Sequence, residues 1–294
     1  MNIFEEIAES FKKGGMLVKL IYINLAVFLV YNLLFVFFFL AGAKDSFNLT
    51  NYLAVPAHIP NFLARPWTIL TYMFFHEGFL HILFNLLWLY WLGQIFVRYK
   101  NEKELLGVYI MGGIAGAALY MLFYNVFPVF AESLPISYAL GASAAVYAVV
   151  FATVTYNPNF TLNLMFIGPV KLKYIAAFLI VLDVISIAGN NAGGHIAHLG
   201  GAIFGYLFIV GQRSKVNLIL PVLWAIGIWE NYNPFRRKPK MKVDYRHTAD
   251  DMEYNRVKVE KQKEIDIILD KISHSGYDSL SADEKKTLFN MKGK

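Results

Sequence analysis

The chain of 294 residues is 57% hydrophobic and only 16% charged, whereas soluble domains carry about 25% charged residues. With a mean hydropathy of +0.45, this composition predicts a multi-pass membrane protein and argues against a soluble globular domain. The absence of cysteine excludes disulfides and thiolate chemistry. The net charge is +6, and the basic residues lie beside apolar runs and in the C-terminal region. This placement favours an anionic lipid bilayer over nucleic acid as the surface that the basic residues bind.

Six apolar runs predict an all-α polytopic membrane bundle of six transmembrane helices, since a span takes about 20 helical residues. The predicted spans are 16–40, 79–96, 105–126, a fourth around 139–154, 169–187 and 195–210. Between the first two, Pro and Asn punctuate residues 43–77, which we expect to form a loop with short helical pieces.

The sequence divides into an amphipathic N-terminal segment, a six-span core, an interfacial and basic linker, and a soluble helical tail. The predicted boundaries are 1–15, 16–212, 213–242 and 243–294. In the linker, residues 217–229 are apolar but few and include Pro221. We expect them to lie in the interface or to re-enter the membrane, with a seventh span as the alternative.

The tail is expected to contain two short amphipathic helices. Aliphatic residues recur at helical spacing before Gly276, a helix stop, and Ser281 with Glu284 forms a capping box for the second helix. The aliphatic residues are Ile265, Ile268, Leu269 and Ile272. Because two short helices bury little apolar surface by themselves, we expect the tail to dock on a cytoplasmic partner.

Lys and Arg are divided unevenly between the loops on the two sides of the predicted spans. One side holds only Lys44 and Arg65. The other side holds Lys12, Lys13, Lys19, Arg98, Lys100, Lys103, Lys171, Lys173, Arg213 and Lys215. The positive-inside rule therefore predicts that both termini are cytoplasmic and that the even-numbered spans begin at the outer face.

Each even-numbered span carries polar residues in its first turns. They are His81 and Asn85 in span two, Ser143 in span four, and His195 and His198 in span six. With a helical rise of about 1.5 Å per residue, all of them lie within roughly 10 Å of the same surface. Polar groups inside a membrane tend to face one another or a wet cavity, which predicts one shared site open to the outer face.

The residue types in this group suit nucleophilic catalysis, because a serine hydroxyl needs a neighbouring base to take its proton. His198 is the favoured base: Gly201 and Gly205 follow it and let span six approach the small residues around Gly141 and Ser143. We expect further roles for Tyr147 and for three hydrogen-bond donors near Ser143. Tyr147 would pack against the imidazole, and the Ser143 amide, His81 and Asn85 would stabilise an oxyanion.

The segments 76–93, 141–143 and 197–205 together resemble the rhomboid family of intramembrane serine proteases. They contain, in order, HxxxN on span two, GxS at span four and AHxxGxxxG on span six. The resemblance implies that Ser143 is the nucleophile and His198 the general base of a dyad without an acid. It also implies membrane proteins as substrates. We expect no cofactor.

Several residues keep other interpretations. His195, one turn before His198, is the rival base, and Asp183 is an isolated acid in span five with a gating or hydrogen-bonding role. His76 is expected to be a structural residue of the loop. The string from His76 to His81 resembles a zinc HExxH motif, but its second histidine comes one position too late, so the rings diverge on a helix and no metal is expected.

Two other functions are compatible with the sequence. A catalytically silent rhomboid-like protein would bind membrane clients without cleaving them, although the presence of both Ser143 and His198 speaks against it. A small-molecule transporter would also carry polar groups in its spans, but such proteins more often show broken helices and paired repeats.

Overall fold

The computed structural model describes residues 2–43, 48–164, 167–232 and 248–290. The chain divides into two compact units, Met1–Asn233 and Pro234–Lys294. The first unit contains helices α1 (Ile3–Lys13), α2 (Met16–Leu40), α3 (Thr50–Leu53), α4 (Ile59–Ala64), α5 (Thr68–Thr71), α6 (Phe79–Tyr99), α7 (Glu102–Val126), α8 (Ser143–Tyr156), α9 (Leu172–Ser186), α10 (Ala192–Arg213) and α11 (Leu220–Tyr232). It also contains two antiparallel strand pairs, β1 (Val55–Pro56) with β2 (Tyr138–Ala139), and β3 (Thr161–Leu164) with β4 (Gly168–Lys171).

Four helices of the described residues are long and apolar enough to cross a membrane: α2, α6, α7 and α10. The other two predicted spans correspond to shorter helices, since α8 has 14 residues and α9 has 15. The prediction of six full spans is therefore not confirmed, although the described chain is a mostly helical membrane bundle.

The boundaries of the fourth and fifth predicted spans are wrong at their N-terminal ends. Residues 138–139 form β2, and α8 begins only at Ser143, after Gly141 with its φ of 114°. Residues 168–171 form β4, and α9 begins at Leu172. In both places a glycine with positive φ breaks the helical pattern, and Pro169 supplies no backbone donor.

Helix α8 is packed at the centre of the first unit, against α6, α7 and α10. Its contact with α10 is made by backbone: a Cβ on Gly201 would lie 2.0 Å from the Ala144 carbonyl oxygen, and a Cβ on Gly205 would lie 2.2 Å from that of Ala148. Only glycine allows this distance, so the small residues of α10 fix how closely it approaches α8.

The loop that leads into α8 is held by the segment between α2 and α6. Strand β2 pairs with β1, the Gly141 N–H donates to the Tyr72 carbonyl at 2.9 Å, and the Ala142 N–H donates to His76 Nε2 at 3.1 Å. His76 is fully buried. This histidine therefore has a structural role in the loop, as expected from the sequence, and the amide that it binds belongs to the residue before Ser143.

Helix α11 has 13 residues, too few to span a bilayer of about 30 Å as a helix. It packs beside α7, and Ile219, just before it, occupies the space next to Gly107. The basic linker residues 233–247 and Lys44 lie outside the described residues.

The second unit contains two helices, α12 (Thr248–Ser275) and α13 (Ala282–Asn290). Helix α12 ends before Gly276, whose φ is 74°. The predicted capping box is present: the Ser281 N–H donates to Glu284 Oε2 at 2.6 Å, and the Glu284 N–H donates to Ser281 Oγ at 3.3 Å. Ile268 is buried, whereas Leu269 is half exposed, so the aliphatic stripe is only partly covered within the unit.

Gly205→Ala is expected to destabilise the first unit, because the new methyl group would meet backbone atoms of α8 that cannot rotate away. Overpacking of this kind costs about 1–3 kcal/mol, and the measurement is the free energy of unfolding in mixed detergent–SDS micelles. The matched control is Gly227→Ala in α11, where a Cβ has no neighbour within 4 Å; it should leave stability unchanged or raise it by helix propensity. Equal effects of the two changes would refute the close-packing argument.

His76→Gln is expected to flatten the acid dependence of stability. Burial lowers the pKa of His76 to about 4 from its usual 6.5, so between these values the unfolded chain binds more protons and the fold loses stability as the pH falls. The loss is at most about 3 kcal/mol and is absent above pH 6.5. Glutamine can still accept from the Ala142 N–H but does not titrate. The same slope in wild type and variant, measured by unfolding across this pH range, would contradict the assignment.

Candidate active site

A cavity of about 550 Å³ lies where α6, α8 and α10 meet. Its lining includes the side chains that the sequence singled out on these three helices: His81 and Asn85 from α6, Ser143 and Tyr147 from α8, and His198 from α10. The structure thus brings residues that are far apart in the chain to one concave, partly polar pocket of the size typical of ligand sites.

Ser143 is the first residue of α8. The backbone N–H groups of a first helical turn have no partner inside the helix, and the helix dipole favours negative charge beside them. The neighbouring Gly141 and Ala142 N–H groups are engaged by Tyr72 and His76. In this turn, the backbone N–H of Ser143 is therefore the hydrogen-bond donor next to the Ser143 hydroxyl.

His198 is fixed by two contacts. Its ring stacks on Tyr147, with centroids 4.4 Å apart and planes 21° apart, and its Nδ1 lies 2.9 Å from Asp183 Oδ1. Nε2, on the other side of the ring, is the nitrogen left for the cavity. Among the described residues no hydrogen bond joins Ser143 to His198, and catalytic hydrogen bonds are often long before substrate binds.

His195 occupies a different position from its expected rival role. Its Nδ1 lies 2.7 Å from the same oxygen of Asp183, and its ring meets that of His198 edge-on at 5.8 Å. The described lining of the cavity includes His198 but not His195. The geometry therefore favours His198 as the ring that faces Ser143.

His81 and Asn85 are the residues that α6 contributes to the polar lining of the cavity. Asn85 Nδ2 donates to the His81 carbonyl one turn earlier at 2.8 Å, which orients the amide and leaves its second hydrogen free of that bond. The His81 ring lies against Gly141, where a Cβ would come within 2.5 Å of the ring. Gly141 therefore serves both the turn and the seat of this histidine.

Asp183, His195 and His198 are the described group whose ligand atoms could surround a metal ion, since these atoms lie within 4.8 Å of one another. The Nδ1 atoms of His195 and His198 both lie at hydrogen-bond distance from Asp183 Oδ1. The zinc motif considered from the sequence involved His76 and His81 instead, and the Nε2 of His76 is occupied by the Ala142 amide.

Asp183 was the residue that sequence reasoning placed least well. It is not isolated: its side chain is buried and pairs with two histidines of α10. An acid inside a membrane helix is a functional candidate by default, and two histidines three residues apart on the next helix were its obvious partners. That signal was present in the sequence.

Two family models match the chain. The Rhomboid domain matches residues 63–214, just over half of the sequence, and a family of unknown function (DUF6576) matches residues 248–290, which contain α12 and α13.

Two known proteins are similar to the chain. RHOMBOID-like protein 12, mitochondrial, from Arabidopsis thaliana is 31% identical over 147 residues, which are 47% of this chain and 44% of that protein. Rhomboid protease AarA from Providencia stuartii is 28% identical over 176 residues, which are 54% of this chain and 62% of that protein. The chain thus matches less than two thirds of the length of either relative.

The matched range 63–214 begins before α5 and ends just after α10, so it contains every helix that lines the cavity. A match of this extent agrees with the three ordered motifs and with the apolar helices. The chain belongs to the rhomboid family.

Proposed function

We propose that this protein is an intramembrane serine protease that hydrolyses peptide bonds in or near transmembrane segments of other membrane proteins. The proposal rests on one observation: the side chains of four residues line the same cavity, namely Ser143, His198, His81 and Asn85. Membership of the rhomboid family and similarity to a protein named as a rhomboid protease support it.

In the proposed reaction, His198 Nε2 takes the proton of Ser143 Oγ as that oxygen attacks the scissile carbonyl carbon. The tetrahedral oxyanion would be stabilised by the Ser143 amide together with His81 and Asn85. The imidazolium then gives its proton to the leaving amine, and an acyl-enzyme forms that water resolves by the same steps. Tyr147, which stacks on the ring of His198, would hold the orientation of that ring during these proton transfers.

The proposed substrate is a transmembrane helix that unwinds locally. A peptide bond inside a regular helix is shielded, because its N–H and C=O are engaged in hydrogen bonds. A segment that loses these bonds can offer its carbonyl to Ser143, and the polar wall of the cavity can replace the missing partners.

We further propose that both termini are cytoplasmic and that the cavity opens to the outer face. The excess of Lys and Arg on one side of the bundle supports this orientation. Water would then reach Ser143 from outside, through the end of the bundle where α8, α6 and α10 begin.

For the tail, we propose a cytoplasmic docking or regulatory role. Its half-exposed aliphatic side chains, such as Leu269 and Val257, are not covered within the second unit and suit a partner surface. The match to a family of unknown function covers the same helices.

Fluorophosphonate labelling tests the reaction. We expect purified wild type in detergent to be labelled, and Ser143→Ala and His198→Ala each to reduce labelling by at least about a thousandfold, because removing either partner of such a pair removes the activated nucleophile. The matched control is Ser133→Ala, whose hydroxyl binds a loop carbonyl outside the cavity. Well-folded wild type that is neither labelled nor able to cleave a panel of single-span proteins would favour the silent, client-binding alternative.

Deletion of the residues after Lys242 tests the tail. We expect the shortened protein to be labelled in detergent at a rate within about twofold of the full chain, because the described residues that line the cavity all belong to the first unit. Loss of labelling in a shortened protein that still unfolds cooperatively would show that the tail takes part in the chemistry.

A further inference from the structure

Asp183 presents a buried carboxylate to α10. Only 2% of the residue is exposed, its Oδ1 lies 2.7 Å from His195 Nδ1 and 2.9 Å from His198 Nδ1, and its Oδ2 has no hydrogen-bond partner among the described residues. A carboxylate buried inside a membrane bundle destabilises the fold unless hydrogen-bond donors face it. Two histidines are arranged to supply those donors to one oxygen.

The hydrogen bond to Asp183 determines which nitrogen of His198 carries the proton. An ionised carboxylate only accepts, so Nδ1 must be the donor, and in a neutral imidazole the other nitrogen, Nε2, then has the free lone pair. Nε2 is the atom that must receive the proton of Ser143. The contact with Asp183 therefore selects the tautomer that the proposed reaction needs.

His195 holds the carboxylate in place. It lies three residues before His198 on the same face of α10, and its bond reaches the same oxygen from a ring set at 83° to that of His198. The phenol of Tyr147, from α8, is the other titratable group that faces Asp183. The carboxylate is thus enclosed by three side chains from two helices and has little freedom to turn.

We propose that Asp183 is the positioning acid of the site, so that Ser143, His198 and Asp183 act as a triad, with His195 orienting the acid. This inference rests on the proposed function. When Ser143 Oγ bonds to the carbonyl carbon, its proton passes to His198 Nε2. The Nδ1 proton stays on His198, opposite an Asp183 that remains ionised, until the proton on Nε2 leaves with the amine as the C–N bond breaks.

The test is Asp183→Asn, compared with wild type for cleavage of a single-span peptide in proteoliposomes. The amide keeps the size of the side chain but can offer its NH₂ to Nδ1, which puts the ring proton on Nε2. We expect kcat to fall by about a hundredfold to ten-thousandfold with KM changed less than about twofold. An unchanged kcat in a variant that unfolds like wild type overturns the inference.

The matched control is Glu132→Gln, which removes an exposed carboxylate of the loop between α7 and α8. Glu132 is not among the described residues that line the cavity, so the control should keep kcat within about threefold of wild type. A loss as large as that of Asp183→Asn would mean that removing any carboxylate of the first unit suffices, and the inference would fail.

A spectroscopic measurement removes the dependence on activity and on folding of the variant. In wild type labelled with ¹⁵N-histidine, at a pH where the ring is neutral, the His198 signals should report a proton on Nδ1, and a proton on Nε2 overturns the inference. Wild type that neither cleaves nor labels refutes the proposed function instead. If wild type is active and the Asp183→Asn variant keeps that activity, only the role of Asp183 is refuted.

Discussion

The contact between the backbones of α8 and α10 is the constraint on which the arrangement of the first unit depends. Gly201 and Gly205 leave no room for a side chain opposite the Ala144 and Ala148 carbonyls. In a bilayer, apolar side chains gain little by leaving lipid for each other, so helices associate through such close approach. Ser143 and His198 lie next to this contact, on α8 and α10, and both line the cavity.

Much of this arrangement could be predicted because its signals are local in the sequence. The apolar lengths of α2, α6, α7 and α10, the glycine spacing of α10 and the polar residues in the first turns of α6 and α10 all follow helical periodicity. Since side chains at one depth on adjacent spans meet, the residues expected in the site line a common cavity. The stop at Gly276 and the cap at Ser281 were equally local.

The parts that sequence reasoning missed depend on partners elsewhere in the chain. Apolar composition gave no reason to start α8 at Ser143, because the extended residues before it are held by β1, Tyr72 and His76, at least 60 positions earlier. Residues 169–171 of β4 were likewise predicted to be the start of a span. Asp183 was recognised as an acid in a span but was not matched to its partners, although His195 and His198 on the next helix offered two donors at helical spacing.

The shortness of α8 sets the depth of the cavity. Its 14 residues rise about 21 Å, against a hydrocarbon thickness of about 30 Å, and its C-terminal end is followed by Asn157. The hydroxyl at its other end therefore stands at a fixed height in the protein, whatever the lipid. A thicker bilayer submerges it and a thinner one brings it to the headgroups, so lipid chain length becomes a control on how readily water arrives.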